Sequence, residues 1–185
     1  MDLHHNPWTT LSSKEHYNNN WIKVTEHQVL NPAGGPGIYG VVHFKNTAIG
    51  VIALDEENNT YLVGQYRYAL DQFSWEIPEG GGPLGEDPLE GAKRELLEET
   101  GLVAKSWLPI VHIHLSNSVS DEKGIIYLAR ELEQHTAEPE ETEQLHIKKL
   151  SFDAAYEMVK NHEITDSLSI AAIQKVKLML LEGEI

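Results

Sequence analysis

The sequence predicts an α/β fold, and three observations carry that prediction. Runs of alternating apolar and polar residues fill the first half between turn signals, a sharply capped helix lies between Asp87 and Gly101, and two further helical patterns close the chain. The first strand, 21–29, sets Trp21, Ile22, Val24 and Val29 among Lys23, Thr25 and Glu26, and ends in the turn sequence Asn31-Pro32-Ala33-Gly34-Gly35-Pro36-Gly37. Strands over 38–44, 48–54 and 60–68 follow, the last two joined by a turn at Asp55-Glu56-Glu57-Asn58-Asn59. A short apolar piece, 73–77, leads into Pro78-Glu79-Gly80-Gly81-Gly82-Pro83-Leu84-Gly85, whose glycines and prolines predict a loop.

Asp87 is placed to cap the next helix, with Pro88 at its first position and Glu90 as the capping-box partner three residues on. The helix runs to Thr100 and stops at Gly101, a residue suited to the left-handed conformation that ends helices. Strands at 106–115 and 124–129 come next, then a loop over 131–144 rich in acids and holding Pro139, then a strand at 146–150. Helical spacing returns at 152–160, with Ala155, Met158 and Val159 on one side, and at 167–181, where Leu168, Ala171, Ala172, Val176 and Met179 share a face.

The 185 residues predict one domain spanning 1–185, and an apolar fraction of 41% with 23% charged residues predicts an ordinary packed core. No apolar run reaches the roughly 18 residues that a membrane span needs, so no membrane partner is expected. The absence of cysteine and of an apolar leader fits a reducing cytoplasm. A net charge of -15 argues against a nucleic-acid partner, which calls for a basic footprint. An anionic small molecule stays possible if divalent cations stand between its phosphates and the protein's carboxylates.

The chemistry concentrates on the capped helix. Glu95, Glu98 and Glu99 lie three and four residues apart, so their side chains emerge on overlapping parts of one face. Like charges so close repel, and Arg94 relieves only part of this by pairing with Glu98 one turn on. A hard cation reverses the sign of the argument, because Mg²⁺ takes oxygen ligands and keeps room for water and phosphate. Arg67, at the end of a strand, is a candidate pyrophosphate contact, since a guanidinium matches phosphate oxygens in pairs. Glu76 is a candidate acceptor for ribose or base, and Tyr17, Trp21 and Tyr66 are candidates for stacking on the base. His112 and His114 share a strand face, but with no third ligand they read as ordinary sheet surface.

Gly80, five residues, Glu86, seven residues, then Arg94-Glu95-Leu96-Leu97-Glu98-Glu99-Thr100-Gly101-Leu102 resembles the signature of the Nudix hydrolases at every defined position. Gln65-Tyr66-Arg67-Tyr68, Trp75-Glu76-Ile77-Pro78 and Glu163-Ile164-Thr165-Asp166 are similar to the branch that hydrolyses ADP-ribose and other nucleoside diphosphate sugars. The resemblance implies the Nudix fold, a mixed β-sheet sandwiched between α-helices, preceded by an N-terminal antiparallel strand region over 1–45 that contributes to a homodimer. It implies Mg²⁺, with Mn²⁺ as the alternative, held by Glu95 and Glu99 with Glu98 joining, and by a backbone carbonyl at Glu79 or Gly80. Glu79 stands where the family usually has a small residue. Arg94 and Glu86 are implied to brace helix against loop. In this branch the general base, or another metal ligand, often comes from a downstream acidic loop, which implies Glu143, with Glu141 and Glu140 next to it. The reaction implied is hydrolysis of the pyrophosphate bond of a nucleoside diphosphate sugar to a nucleoside monophosphate and a sugar phosphate. The neighbouring possibilities are Nudix activity on nucleoside triphosphates or dinucleoside polyphosphates, and a Nudix module that senses nucleotide without catalysis.

Overall fold

β-Branched and aromatic residues at alternate positions give the chain its strands, and an Asp or Ser side chain starts each helix. The computed structural model describes residues 4–137 and 144–185. Their elements are β1 (Thr9–Asn18), β2 (Ile22–Leu30), β3 (Pro36–Phe44), β4 (Asn46–Ala53), β5 (Asn59–Arg67), β6 (Gln72–Glu76), β7 (Glu79–Pro83), α1 (Pro88–Thr100), β8 (Leu102–His114), β9 (Lys123–Gln134), β10 (His146–Ser151), α2 (Phe152–Lys160) and α3 (Ser167–Glu182). The chain divides into two compact units, Met1–Asn46 with His114–Glu122, and Thr47–Ile113 with Lys123–Ile185.

The first unit is an antiparallel sheet in the order β1-β2-β3, with Tyr17 opposite Val24 and Val24 opposite Val42. Its segment 114–122 is tied to β3 by polar bonds: His43 Nδ1 meets Asp121 Oδ2 at 2.6 Å, and the Tyr39 hydroxyl donates to the Ser118 carbonyl at 2.7 Å. β1 was not predicted. All ten of its residues are exposed, so no buried face imposes an apolar alternation on it.

In the second unit one sheet runs β7-β4-β9-β8 and another β10-β5-β6. β4 and β9 are parallel, with Val51 opposite Tyr127, which makes the sheet mixed as predicted. Their residues alternate between two buried faces. Ile49, Val51, Ala53, Ile125, Tyr127 and Ala129 pack with Ala92 and Leu96 of α1. α3 packs on β9 and buries Ala172, Ile173 and Val176, while α2 packs on β5, β10 and α3. The sheet is thus held between helices.

Two boundaries differ from the prediction. The stretch 78–85 does not remain a loop, because β7 forms at the edge of the sheet beside β4; at the start of this edge Val51 N–H donates to the Pro78 carbonyl at 2.8 Å. Glycines lack side chains but keep the donors and acceptors that an open sheet edge needs. β9 also continues to Gln134, into the predicted acidic loop. There Leu132 turns to the core between two exposed acids, Glu131 and Glu133, a short alternation hidden by the charge of its neighbours. The ends of α1 are as predicted: Asp87 accepts the Leu89 N–H at 3.0 Å, and Gly101 adopts a φ of 71° with its N–H on the Leu97 carbonyl at 2.8 Å. Glu90 does not close the capping box; its carboxylate takes Lys93 Nζ at 2.7 Å.

Candidate active site

α1 turns its acids toward β7. Glu95 and Glu99 are 8% and 2% exposed, while Glu98 is half-buried at the rim. Burying carboxylates costs free energy unless donors meet them, and two donors make three contacts here. Arg94 Nη1 reaches Glu95 at 2.8 Å and Glu98 at 2.9 Å, and the Glu79 backbone N–H donates to Glu99 Oε2 at 2.9 Å. Arg94 Nη2 also donates to the Gly81 carbonyl at 3.1 Å, so this arginine does brace helix against loop. Glu86, expected to share that task, is an exposed turn residue.

Gly80 explains why the loop lies so close. A Cβ added there would collide with the carboxylate of Glu95, so glycine lets the backbone pass over this acid without displacing it. The Glu79–Gly80 backbone and the carboxylates of Glu95 and Glu99 are therefore neighbours, as the predicted ligand set requires. Among the described residues no three His, Asp or Glu side chains form a ready-made metal cage. The donor set still fits a hard divalent cation, because Mg²⁺ binds through one or two carboxylates and fills its other positions with water and phosphate.

Beyond Glu79 a cavity of about 590 Å³ opens, lined by Arg67, Tyr68, Glu76, Glu79 and Asp166 among others. Arg67 and Glu76, the two expected substrate contacts of this half of the chain, both line it. Their geometry is more specific than the sequence implied: Arg67 Nε donates to both oxygens of Glu76 at 2.9 and 3.0 Å, and Nη2 reaches Glu79 Oε1 at 2.7 Å. Glu79 Oε2 is buried and no donor reaches it. A neighbour of the Glu79 carboxyl is that of Asp166, itself an acceptor unless one proton lies between the two. Burial pushes the Glu79 carboxyl well above the usual range, Asp166 and Glu76 push it further, and Arg67 offsets this only in part.

Asp166, noted in the sequence only as the end of Glu163-Ile164-Thr165-Asp166, lines this cavity without having been assigned a role there. It caps α3, accepting the Ser169 N–H at 2.7 Å, and Ser169 Oγ in turn accepts the Ile77 N–H at 2.9 Å, which fastens the start of α3 to the strand leading into Glu79. An Asp just before a helical pattern was a legible cap, but nothing local placed it against a glutamate some ninety positions earlier in the chain.

Tyr17 and Trp21 belong to the first unit and are 53% and 66% exposed, and Tyr66 is exposed with its hydroxyl on Asp71. His112 and His114 are exposed on β8, the ordinary sheet surface expected of them. Glu140, Glu141 and Glu143 lie outside the described residues.

Comparison with known proteins follows the same lines. A family model for the nucleoside diphosphate sugar hydrolase N-terminal domain matches residues 8–42, and the NUDIX domain model matches residues 44–171. The chain is 30% identical over 171 residues to a methanol dehydrogenase activator of Bacillus methanolicus, covering 91% of this chain and 92% of that protein. It is 33% identical over 172 residues to an ADP-ribose pyrophosphatase of Mycobacterium tuberculosis, covering 90% of this chain and 82% of that one. A crystal structure of an ADP compounds hydrolase superposes with a TM-score of 0.81 over 96% of this chain and 97% of that chain, at 18% sequence identity, which shows a shared fold. With its glycine-cradled acids and a domain match that spans most of its length, the chain belongs to the NUDIX family of hydrolases.

Proposed function

We propose that this protein hydrolyses the pyrophosphate bond of nucleoside diphosphate sugars such as ADP-ribose, releasing a nucleoside monophosphate and a sugar phosphate. The observation that carries this reading is the contact of the Glu79–Gly80 backbone with Glu95 and Glu99, which gathers oxygen donors where a diphosphate needs its charge offset. Nudix hydrolases generally use divalent metals, and Mg²⁺, with Mn²⁺ as substitute, suits an all-oxygen set made of Glu95, Glu99, Glu98 and the backbone at Glu79 or Gly80. Such a cation, when bound, supplies the Lewis-acid charge that eases attack of water on phosphorus. The residues of the chain position and exchange protons around it. Arg94 bridges Glu95 and Glu98 through one guanidinium nitrogen, and a carboxylate takes the proton of the attacking water. Glu143 and Glu141 are our candidates for that base, with Glu98 as the one on α1.

Arg67 and Glu76 line the adjoining cavity and are assigned to the substrate, with Tyr17 and Trp21 as stacking partners for the base. The substrate class is supported by the ADP-ribose pyrophosphatase from Mycobacterium tuberculosis, one third identical to this chain over most of its length. We read the chain as one hydrolase domain acting on a small molecule in the cytoplasm, with neither nucleic acid nor membrane as partner. A homodimer built through the strand region 1–45 is supported by its exposed apolar residues, Trp8, Leu11, Trp21 and Ile38. Light scattering of the purified protein would read that assembly directly.

The test of the activity is a panel of ADP-ribose, other nucleotide sugars, nucleoside triphosphates and dinucleoside polyphosphates with Mg²⁺ or Mn²⁺, read by phosphate release after phosphatase treatment. ADP-ribose or a related nucleotide sugar is expected to give the highest kcat/KM. Turnover confined to the triphosphates or dinucleoside polyphosphates would overturn the substrate class, and no turnover at all would favour a nucleotide-sensing module.

A further inference from the structure

Glu79 faces two ways. Its backbone N–H rests on Glu99 of the metal-binding helix, and its side chain lines the cavity that holds Arg67, Glu76 and Asp166. The cavity is therefore one residue's width from the candidate cleavage site, close enough to hold a group attached directly to the diphosphate. Its lining is unusual for a protein that handles phosphate esters. The fork of Arg67 that would grip phosphate oxygens in pairs is already occupied by Glu76 and Glu79. Two carboxyl groups, Glu76 and Glu79, share this one guanidinium, a third, Asp166, lines the same cavity, and even with a proton held between Glu79 and Asp166 the lining keeps more negative than positive charge.

Such a surface accepts hydrogen bonds and repels anions. Carboxylate oxygens select ligands that bring donors, and a like charge placed against them is rejected. A sugar with free hydroxyls meets the first condition and a phosphorylated or carboxylated sugar fails the second.

We propose that Glu79 is a specificity-determining residue whose carboxyl group, with Asp166 beside it, makes this cavity the seat of the sugar on the far side of the diphosphate and restricts it to hydroxyl-bearing, uncharged sugars. This rests on the hydrolase reading and adds to it which half of the substrate lies in the cavity and what that half must lack.

The experiment compares kcat/KM for ADP-ribose, ADP-ribose 1″-phosphate and ADP-ribose 2′-phosphate in the unaltered protein, Glu79→Ala and Asp166→Asn. The first phosphate sits on the distal sugar and the second on the adenosine. The unaltered protein is expected to prefer ADP-ribose over the 1″-phosphate by about tenfold or more, mainly through KM. Glu79→Ala should shrink that preference at least threefold and leave the ratio for the 2′-phosphate unchanged. Asp166→Asn keeps a good helix cap while removing a charge, so it should act in the same direction even if Glu79→Ala fails to fold. A folded Glu79→Ala and a folded Asp166→Asn that both keep the original ratio would overturn the assignment. A change in the 2′-phosphate ratio instead would place the adenosine in the cavity and overturn it equally. If the unaltered protein hydrolyses none of the three, the activity reading fails on its own, and calorimetric binding of ADP-ribose and its 1″-phosphate to the same variants still measures the preference.

Discussion

Glu99 Oε2 accepts the backbone N–H of Glu79 at 2.9 Å, and this bond joins the acidic face of α1 to the glycine loop that crosses it. Glu99 is 2% exposed, so its charge is tolerated there only with such donors or a cation. An amide oxygen accepts the same hydrogen bond, which lets Glu99→Gln separate charge from packing. The variant is expected to fold with nearly unchanged Tm and to lose activity by on the order of 10²–10³-fold, the scale of losing a charged group at a reacting phosphate. Steady-state rates on ADP-ribose would check this, and a variant within threefold of the unaltered protein would remove Glu99 from the ligand set.

Gly80→Ala tests the loop side of the same contact. The added Cβ collides with the Glu95 carboxylate, the movable end of a flexible side chain, so the fold yields locally without collapse. We expect a Tm drop of only a few degrees, roughly 1 kcal/mol in a domain of this size, together with about tenfold weaker Mn²⁺ binding. A titration followed by Mn²⁺ electron spin resonance reads the affinity. Unchanged affinity would mean that Glu95 does not need its present position to bind metal.

Much of this arrangement was legible in the sequence because it is local. Asp87, Pro88 and Gly101 mark both ends of α1, and the spacing of Glu95, Glu98 and Glu99 fixes which face they share. β4 and β9 carry apolar side chains on both faces, which a sheet between helices demands. What was not legible depends on contacts between distant positions. β1 has no buried face to pattern it, β7 forms because the open edge of β4 needs a partner, and Asp166 reaches Glu79 only after α3 is docked by Ser169 on Ile77. The glutamate at position 79 was visible as a departure from the Nudix loop, but its pairing with Arg67 required the fold.

Asp55 gives a pH-dependent prediction remote from the active site. Burial works to raise its carboxyl, yet the ammonium of Lys149 and hydrogen bonds from Asn59 and the Glu57 backbone outweigh it and hold the group at about 2, below the ordinary 3.8. A depressed folded-state value means that the unfolded chain binds the proton more readily, so the stabilisation is present above pH ~4 and is lost as pH falls towards 2. Asp55 organises the turn between β4 and β5, accepting the Glu57 and Asn59 N–H groups at 2.9 and 2.8 Å. Asp55→Asn should lower stability at pH 7 by about 1 kcal/mol and flatten the acid limb of the stability curve. Urea unfolding between pH 2 and 7 measures both, and an unaltered acid limb would rule out Asp55 as its source.

Arg67 and Glu76 form the most deeply set ion pair of the cavity, with Glu76 only 3% exposed. Removing the cation leaves that carboxylate buried without its partner, so Arg67→Ala is expected to destabilise by roughly 3–5 kcal/mol, far above the cost of a surface pair. Neutralising the acid as well removes the stranded charge while keeping its volume. Arg67→Ala/Glu76→Gln should therefore be more stable than Arg67→Ala alone, with a coupling of about 1–3 kcal/mol between the two sites. Neither variant is expected to hydrolyse nucleotide sugars well, because both disturb the wall that holds Glu79. Denaturant unfolding of the four members of this cycle gives the coupling, and additive losses would show that Glu76 is held by its other surroundings and not by Arg67.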